Sequence, residues 1–158
     1  MHGARDEPRI RPALPAEAGL LSGVAFRSKA HWGYSPAFMA ACRAELTLSP
    51  AQILEHPTFV VEAPQGVLGF YALEHVSATH VDLAHLFVEP AAHGRGLGRA
   101  LLTHARGEAR ARGYRVLVIQ GDPNAVGFYE ACGATLVGSR PSASIPGRAL
   151  PLLEIALT

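Results

Sequence analysis

This 158-residue chain has little cysteine, no dominant charge and no long apolar run, and each shortage removes a class of function. Its two cysteines, Cys42 and Cys132, lie in unrelated segments without the paired spacing of a zinc site or a disulfide framework, so both read as small buried side chains. Fourteen basic residues against thirteen acidic ones leave a formal charge of +1. No field of one sign exists to attract nucleic acid or an anionic membrane, and a polyanionic ligand must be gripped locally. No apolar stretch approaches the roughly 20 residues of a membrane span, and Met1 to Glu7 lack the apolar core of a signal peptide. A cytoplasmic protein without membrane or nucleic-acid partners is expected. Aromatic residues are scarce at 7%, which makes Trp32 and Tyr34, clustered in one connection, conspicuous.

Hydrophobic residues supply 49% and charged residues 17%, the balance of a chain that buries a core. Its length suits one domain spanning residues 1–158. Ile10 to Pro15 is short and proline-punctuated, as in an edge strand. A helix follows, with Leu20, Leu21, Val24, Ala25 and Ser28 at helical spacing. Ser35-Pro36 and Ser49-Pro50 each offer an N-cap and a first-turn proline, the former opening a helix that presents Phe38, Met39, Cys42 and Leu46. The period then shortens. Thr58–Glu62, Val67–His75 and His80–Val88 read as a three-stranded antiparallel meander. From Gly96 to Arg112 Leu97, Leu101, Ala105 and Ala109 form one helical stripe, with Gly113 as its stop. Arg115–Gln120 is a buried strand, Asn124–Ala131 a short helix, and Ala134–Gly138 and Leu150–Leu157 closing strands around the loop Pro141–Arg148. A strand, a glycine-rich turn, a long helix and another strand form a βαβ unit inside an otherwise antiparallel sheet, so the class is α/β.

The chemistry concentrates in Leu86-Phe-Val-Glu-Pro-Ala-Ala-His-Gly-Arg-Gly-Leu-Gly-Arg99. Gly94, Gly96 and Gly98 allow a sharp turn that aims successive N–H groups at whatever sits at the helix N-terminus, where the helix dipole adds positive potential and Arg95 and Arg99 add charge. That suits a pyrophosphate. A P-loop is excluded because no lysine follows the glycines, and a Rossmann site because Gln120-Gly-Asp-Pro123 replaces the acidic residue expected at the end of the next strand.

The turn His93-Gly-Arg-Gly-Leu-Gly98 resembles the cofactor signature of the GNAT N-acetyltransferase superfamily, with histidine where the family prefers glutamine or arginine. A second family element appears as Asn124-Ala-Val-Gly-Phe-Tyr-Glu-Ala-Cys-Gly133. The resemblance implies a mixed, mostly antiparallel sheet of about seven strands flanked by helices, and an acyl-CoA-dependent N-acyltransferase that moves acetyl from acetyl-CoA, without a metal, to a primary amine on a small molecule or peptide. It places the pantetheine arm along Leu86, Phe87 and Val88. The pyrophosphate falls on His93, Gly94, Arg95, Gly96, Leu97, Gly98 and Arg99, with Asn124 and Phe128 also beside the cofactor. Asn124 also reads as the N-cap of its helix.

By the same resemblance, Tyr129 protonates the leaving thiolate. A backbone N–H near Phe87 or Val88 meets the oxyanion, on the family's bulge in that strand. For the base, His85 comes first and Asp82 or water after it, and His85 equally reads as a partly buried packing residue. Acceptor binding falls to the connection holding Trp32 and Tyr34, and to the loop with Ser142, Ser144 and Arg148. Two further expectations come with the family: a homodimer, possible through the final strand, and, as the alternative to catalysis, a CoA-binding module that serves as sensor or assembly partner.

Overall fold

A computed structural model describes residues 7–157. Seven strands form one sheet in the order β1-β2-β3-β4-β5-β7-β6. They are β1 (Arg9–Pro12), β2 (Thr58–Ala63), β3 (Gly66–His75), β4 (His80–Val88), β5 (Val116–Gln120), β6 (Thr135–Pro141) and β7 (Ala149–Ala156). Only β4 and β5 run parallel, joined across one face by the helix α4 (Leu97–Ala111); every other neighbouring pair is antiparallel. Helices α1 (Ala18–Ala30), α2 (Pro36–Cys42) and α3 (Pro50–Glu55) cover the other face, and α5 (Val126–Ala131) leads into β6.

Alternation along the strands sorts the core into two layers. Tyr71, Leu73, Val81, Leu83, Leu117, Ile119, Leu153 and Ile155 pack against the α4 stripe of Leu97, Leu101, Leu102, Ala105 and Ala109. Val60 and Phe70 pack against Leu21, Val24 and Ala25 of α1 and Met39 and Cys42 of α2; Cys132 lies in the α4-side layer, and both cysteines are buried free thiols. Serine and proline start α2 and α3 as their spacing predicts. The Ser35 hydroxyl accepts from the Phe38 amide at 3.1 Å, while Ser49 and Gln52 cap each other reciprocally.

Several boundaries differ from the sequence reading. β1 ends at Pro12, and Pro15–Glu17 forms a 3-10 turn instead of extending the strand. Leu20 is half-exposed while Ala18 is buried, so the buried stripe of α1 runs through Ala18, Leu21 and Ala25 at helical spacing. The segment before β6 divides into a 3-10 turn, Pro123–Ala125, and α5, and β6 reaches Pro141 instead of stopping at Gly138. A bulge at Val137 lets β6 keep its register with β7 over that extra length.

Two irregularities create the site. Pairing between β4 and β5 ends at Asp82↔Val118, although β4 continues to Val88 and β5 to Gln120, so the two strands diverge. On its other side β4 carries one extra residue against β3, because Ala72 faces His85 and Leu73 faces Leu83. This bulge at Ala84 reverses the alternation. Val81 and Leu83 face α4 before it, as do Leu86 and Val88 after it, while Phe87 turns to the α1 layer. The bulge expected in this strand is thus at Ala84. Gly69 on β3 makes a further close approach, for a Cβ there would stand 2.7 Å from the Phe87 carbonyl oxygen.

Candidate active site

The diverging strands open a cleft of about 850 Å³. Of the residues singled out from the sequence, Arg95, Tyr34, Ser142, Ser144 and Arg148 lie outside its lining; the others line it.

One wall is main chain. The edge of β4 from Ala84 to Val88 that faces β5 has no strand partner among the described residues, so its N–H and C=O groups offer a template for an extended, peptide-like ligand. Beyond it the chain turns through Pro90–Ala92 and two glycines with positive φ, Gly94 at 81° and Gly96 at 75°, a region that L side chains avoid. The first main-chain bond of α4 runs from the Ala100 amide to the Gly96 carbonyl at 3.1 Å, which leaves the Leu97, Gly98 and Arg99 amides without intrahelical acceptors. They stand at the positive end of a 15-residue helix. A free strand edge leading to exposed helix-terminal amides matches a ligand with a peptide-like arm followed by a pyrophosphate, the chemical layout of coenzyme A. His93 braces this turn: its Nε2–H donates to the Val88 carbonyl at 2.9 Å, and its ring meets His31 edge-on at 5.1 Å. Arg95 is exposed outside the cleft, and Arg99 is at its rim.

The opposite wall comes from the β5–α5 segment. Gly121 is buried against the Tyr129 ring, where a Cβ would approach to 3.3 Å, and Gly98 likewise makes room for Phe128, also at 3.3 Å. Phe128 stays 37% exposed and meets Tyr129 edge-on, while Tyr129 is buried in the α4-side core. Burial raises the Tyr129 phenol above its ordinary value, so it stays protonated and can donate throughout the neutral range.

His85 lies on the other sheet face, its ring about 6 Å from those of Phe70 and Phe87. Burial, reinforced by His56, pushes its pKa down to about 4, so the imidazole is neutral at pH 7 with a lone pair available. Asp82 shares this face, 4.0 Å from Arg140, and its carboxyl is raised by burial. Arg140 also donates to Gln120 at 3.3 Å. Trp32 is 49% exposed at the cleft wall.

Tyr34 sits behind the wall in a hydrogen-bonded cluster absent from the sequence reading. Its hydroxyl donates to Asp122 at 2.8 Å and accepts from Arg148 at 2.9 Å and from the Asn124 side chain at 3.1 Å, which uses its full capacity. Lys29 reaches the same carboxylate at 3.2 Å. Asp122, and not Asn124, caps the following turn by accepting from the Asn124 amide at 2.9 Å. The signal was present in Asp122-Pro123, a cap residue followed by a first-turn proline. Burial alone would raise the Asp122 carboxyl, but the Asn124 amide, the Tyr34 hydroxyl and Lys29 outweigh it and hold the carboxyl below its usual range.

The acetyltransferase (GNAT) domain family model matches residues 55–133, from the end of α3 through the glycine turn to the end of α5. The chain belongs to the GNAT acetyltransferase family. As a member it is an acyl-CoA-dependent acetyltransferase. It is 29% identical over 147 residues to a 5-NmdU N-acetyltransferase of Pseudomonas phage PaMx11, an alignment covering 92% of this chain and 96% of the relative. Its fold matches a GCN5-related N-acetyltransferase from Rhodopseudomonas palustris with TM-score 0.76 and 23% identity, over 94% of this chain and 95% of the other. The PaiA N-acetyltransferase from Thermoplasma acidophilum, solved with coenzyme A, superposes with TM-score 0.78 at 19% identity, over 95% and 99%. Among the described residues of this GNAT chain, no helix is long and apolar enough to cross a membrane.

Proposed function

We propose that this GNAT protein transfers the acetyl group of acetyl-CoA to the primary amine of a small molecule or peptide, with Tyr129 as general acid and His85 as acceptor of the amine proton. The observation that carries this reading is the single cleft, with a main-chain ligand template on one side, a buried phenol on the second and a neutral imidazole on the third. The free β4 edge and the amides at the start of α4 hold the pantetheine and pyrophosphate. Bound there, acetyl-CoA supplies the activated thioester.

His85 is a weak base, which suits its task. A free ammonium group would not yield its proton to it, so the acceptor enters as the neutral amine. As the C–N bond forms, the nitrogen becomes positive and strongly acidic, and the buried imidazole then takes one of its protons. Tyr129 donates its O–H proton to the sulfur as the C–S bond breaks. His85 returns its proton to the Tyr129 phenolate through water in the cleft, so the cycle closes with one amide and one thiol. The free β4 edge supplies main-chain N–H donors for the oxyanion.

The test is a panel of primary amines, with 5-NmdU included because it is the phage relative's acceptor, incubated with protein and acetyl-CoA. Free thiol release matched by an acetyl mass gain on an amine supports the proposal. Acetyl-CoA binding without turnover on any amine would replace it with the reading of a CoA-binding module.

A further inference from the structure

We propose that Asp122 is a positioning residue for acyl transfer, tying the acceptor-side wall of the cleft to the turn that carries Asn124 and leads to Tyr129; this rests on the acetyl-transfer reading above. The wall is backed by side chains from three separate parts of the chain: Lys29, which also lines the cleft, at the end of α1, and behind it Tyr34 in the α1–α2 connection and Arg148 at the end of the β6–β7 loop. All three converge on Asp122, Lys29 at 3.2 Å, Tyr34 at 2.8 Å and Arg148 at 3.9 Å, and Arg148 also bonds the Tyr34 hydroxyl. The side chains of Lys29, Asp122 and Arg148 are only 11%, 12% and 18% exposed, so water screens these charges weakly.

The cations also lie over a stacked pair of rings. Tyr34 and Phe38 stand 4.1 Å apart, with Lys29 and Arg148 both within 6 Å of each ring centre. Arg148 acts as the handle of a braced loop. The Ser142 amide donates to the Arg148 carbonyl at 2.7 Å, and the Ser142 hydroxyl accepts from the Ser144 and Ile145 amides. Pulling on Arg148 therefore sets the position of the whole segment 142–148. On the other side, Asp122 immediately precedes the turn that leads into α5. An error of about 1 Å between acceptor and acyl carbon is enough to slow a transfer of this kind strongly.

Asp122→Asn separates this role from simple folding. Asparagine can still accept from the Asn124 amide and so keeps the cap, but it lacks the charge that gathers Lys29, Tyr34 and Arg148. With an amine that the wild type acetylates, kcat/KM for the amine should fall about tenfold, mainly through kcat, because the loss is of acceptor alignment. The dissociation constant for acetyl-CoA should stay within about twofold, since its main-chain contacts are untouched. Tyr34→Phe should give a smaller loss of about threefold, and the two changes together should cost less than their product because they break one network. Amide hydrogen exchange gives a readout independent of turnover: segment 142–148 should exchange faster in Asp122→Asn while α4 is unchanged. Unaltered amine kinetics with unaltered exchange, or an acetyl-CoA affinity that falls as far as the amine kinetics, would overturn the proposal. A wild type that acetylates no amine would remove the catalytic reading alone, and exchange in 142–148 would still decide whether Asp122 holds the loop.

Discussion

The two halves of the cleft are built from different materials. The half proposed for the cofactor is main chain: an unpaired strand edge, two left-handed glycines and the amides of one helix terminus, all within residues 84–99. The half proposed for the acceptor is side chain, and the partners that brace it lie far apart in sequence, 88 residues for Tyr34 and Asp122, 93 for Lys29 and Asp122, and 114 for Tyr34 and Arg148. A local, backbone-built site fixes what all members of a family bind, whereas a site assembled from distant side chains can change acceptor while the fold stays the same.

Substitutions in each half should therefore fail differently. The largest effect is expected where the halves meet: Tyr129→Phe should lower kcat by at least ~100-fold, the scale of a lost general acid, while acetyl-CoA affinity changes by less than twofold. An equal loss in affinity would make Tyr129 part of the cofactor wall. Next comes a pH effect on the acceptor face. The folded-state pKa of His85 lies below its unfolded value of 6.5, so the unfolded chain binds the extra proton first as pH falls. Stability is fully present above pH 6.5 and is lost down to about pH 4. The span amounts to about 3 kcal/mol, and urea titrations should show it in the wild type and not in His85→Gln. A wild-type curve flat over that window would mean that His85 is solvated.

A third, smaller effect probes the backbone. Gly96→Ala forces an L side chain into φ of +75° and should cost roughly 1–2 kcal/mol of stability, with weaker acetyl-CoA binding and an unchanged amine KM. Last, Arg99→Ala should weaken acetyl-CoA binding by less than about 1 kcal/mol at low salt and by almost nothing at high salt, because exposed charge is screened and the amides remain. A large, salt-resistant loss would show that side-chain charge carries the cofactor half.

The same division explains what could be read before the structure. The glycine turn, the α4 stripe and the meander follow from local spacing, and all lie where the sequence puts them. The bulge at Ala84 left no mark, because a single inserted residue reverses the faces of a strand without changing its composition. His85 could be placed opposite Leu86, but its depth between Phe70 and Phe87 depends on a neighbouring strand. In the sequence Asp122 is one residue of the Gln120-Gly-Asp-Pro123 turn, and its partners are visible only once α1 and the β6–β7 loop meet over the sheet.

The most direct test of the account is a thermal-unfolding titration of the wild type with acetyl-CoA, CoA and ATP, since a ligand that binds only the folded chain must raise its melting temperature. The account predicts a rise with both CoA species, diminished in Gly96→Ala and preserved in Asp122→Asn, and none with ATP; no rise with either CoA species would contradict it.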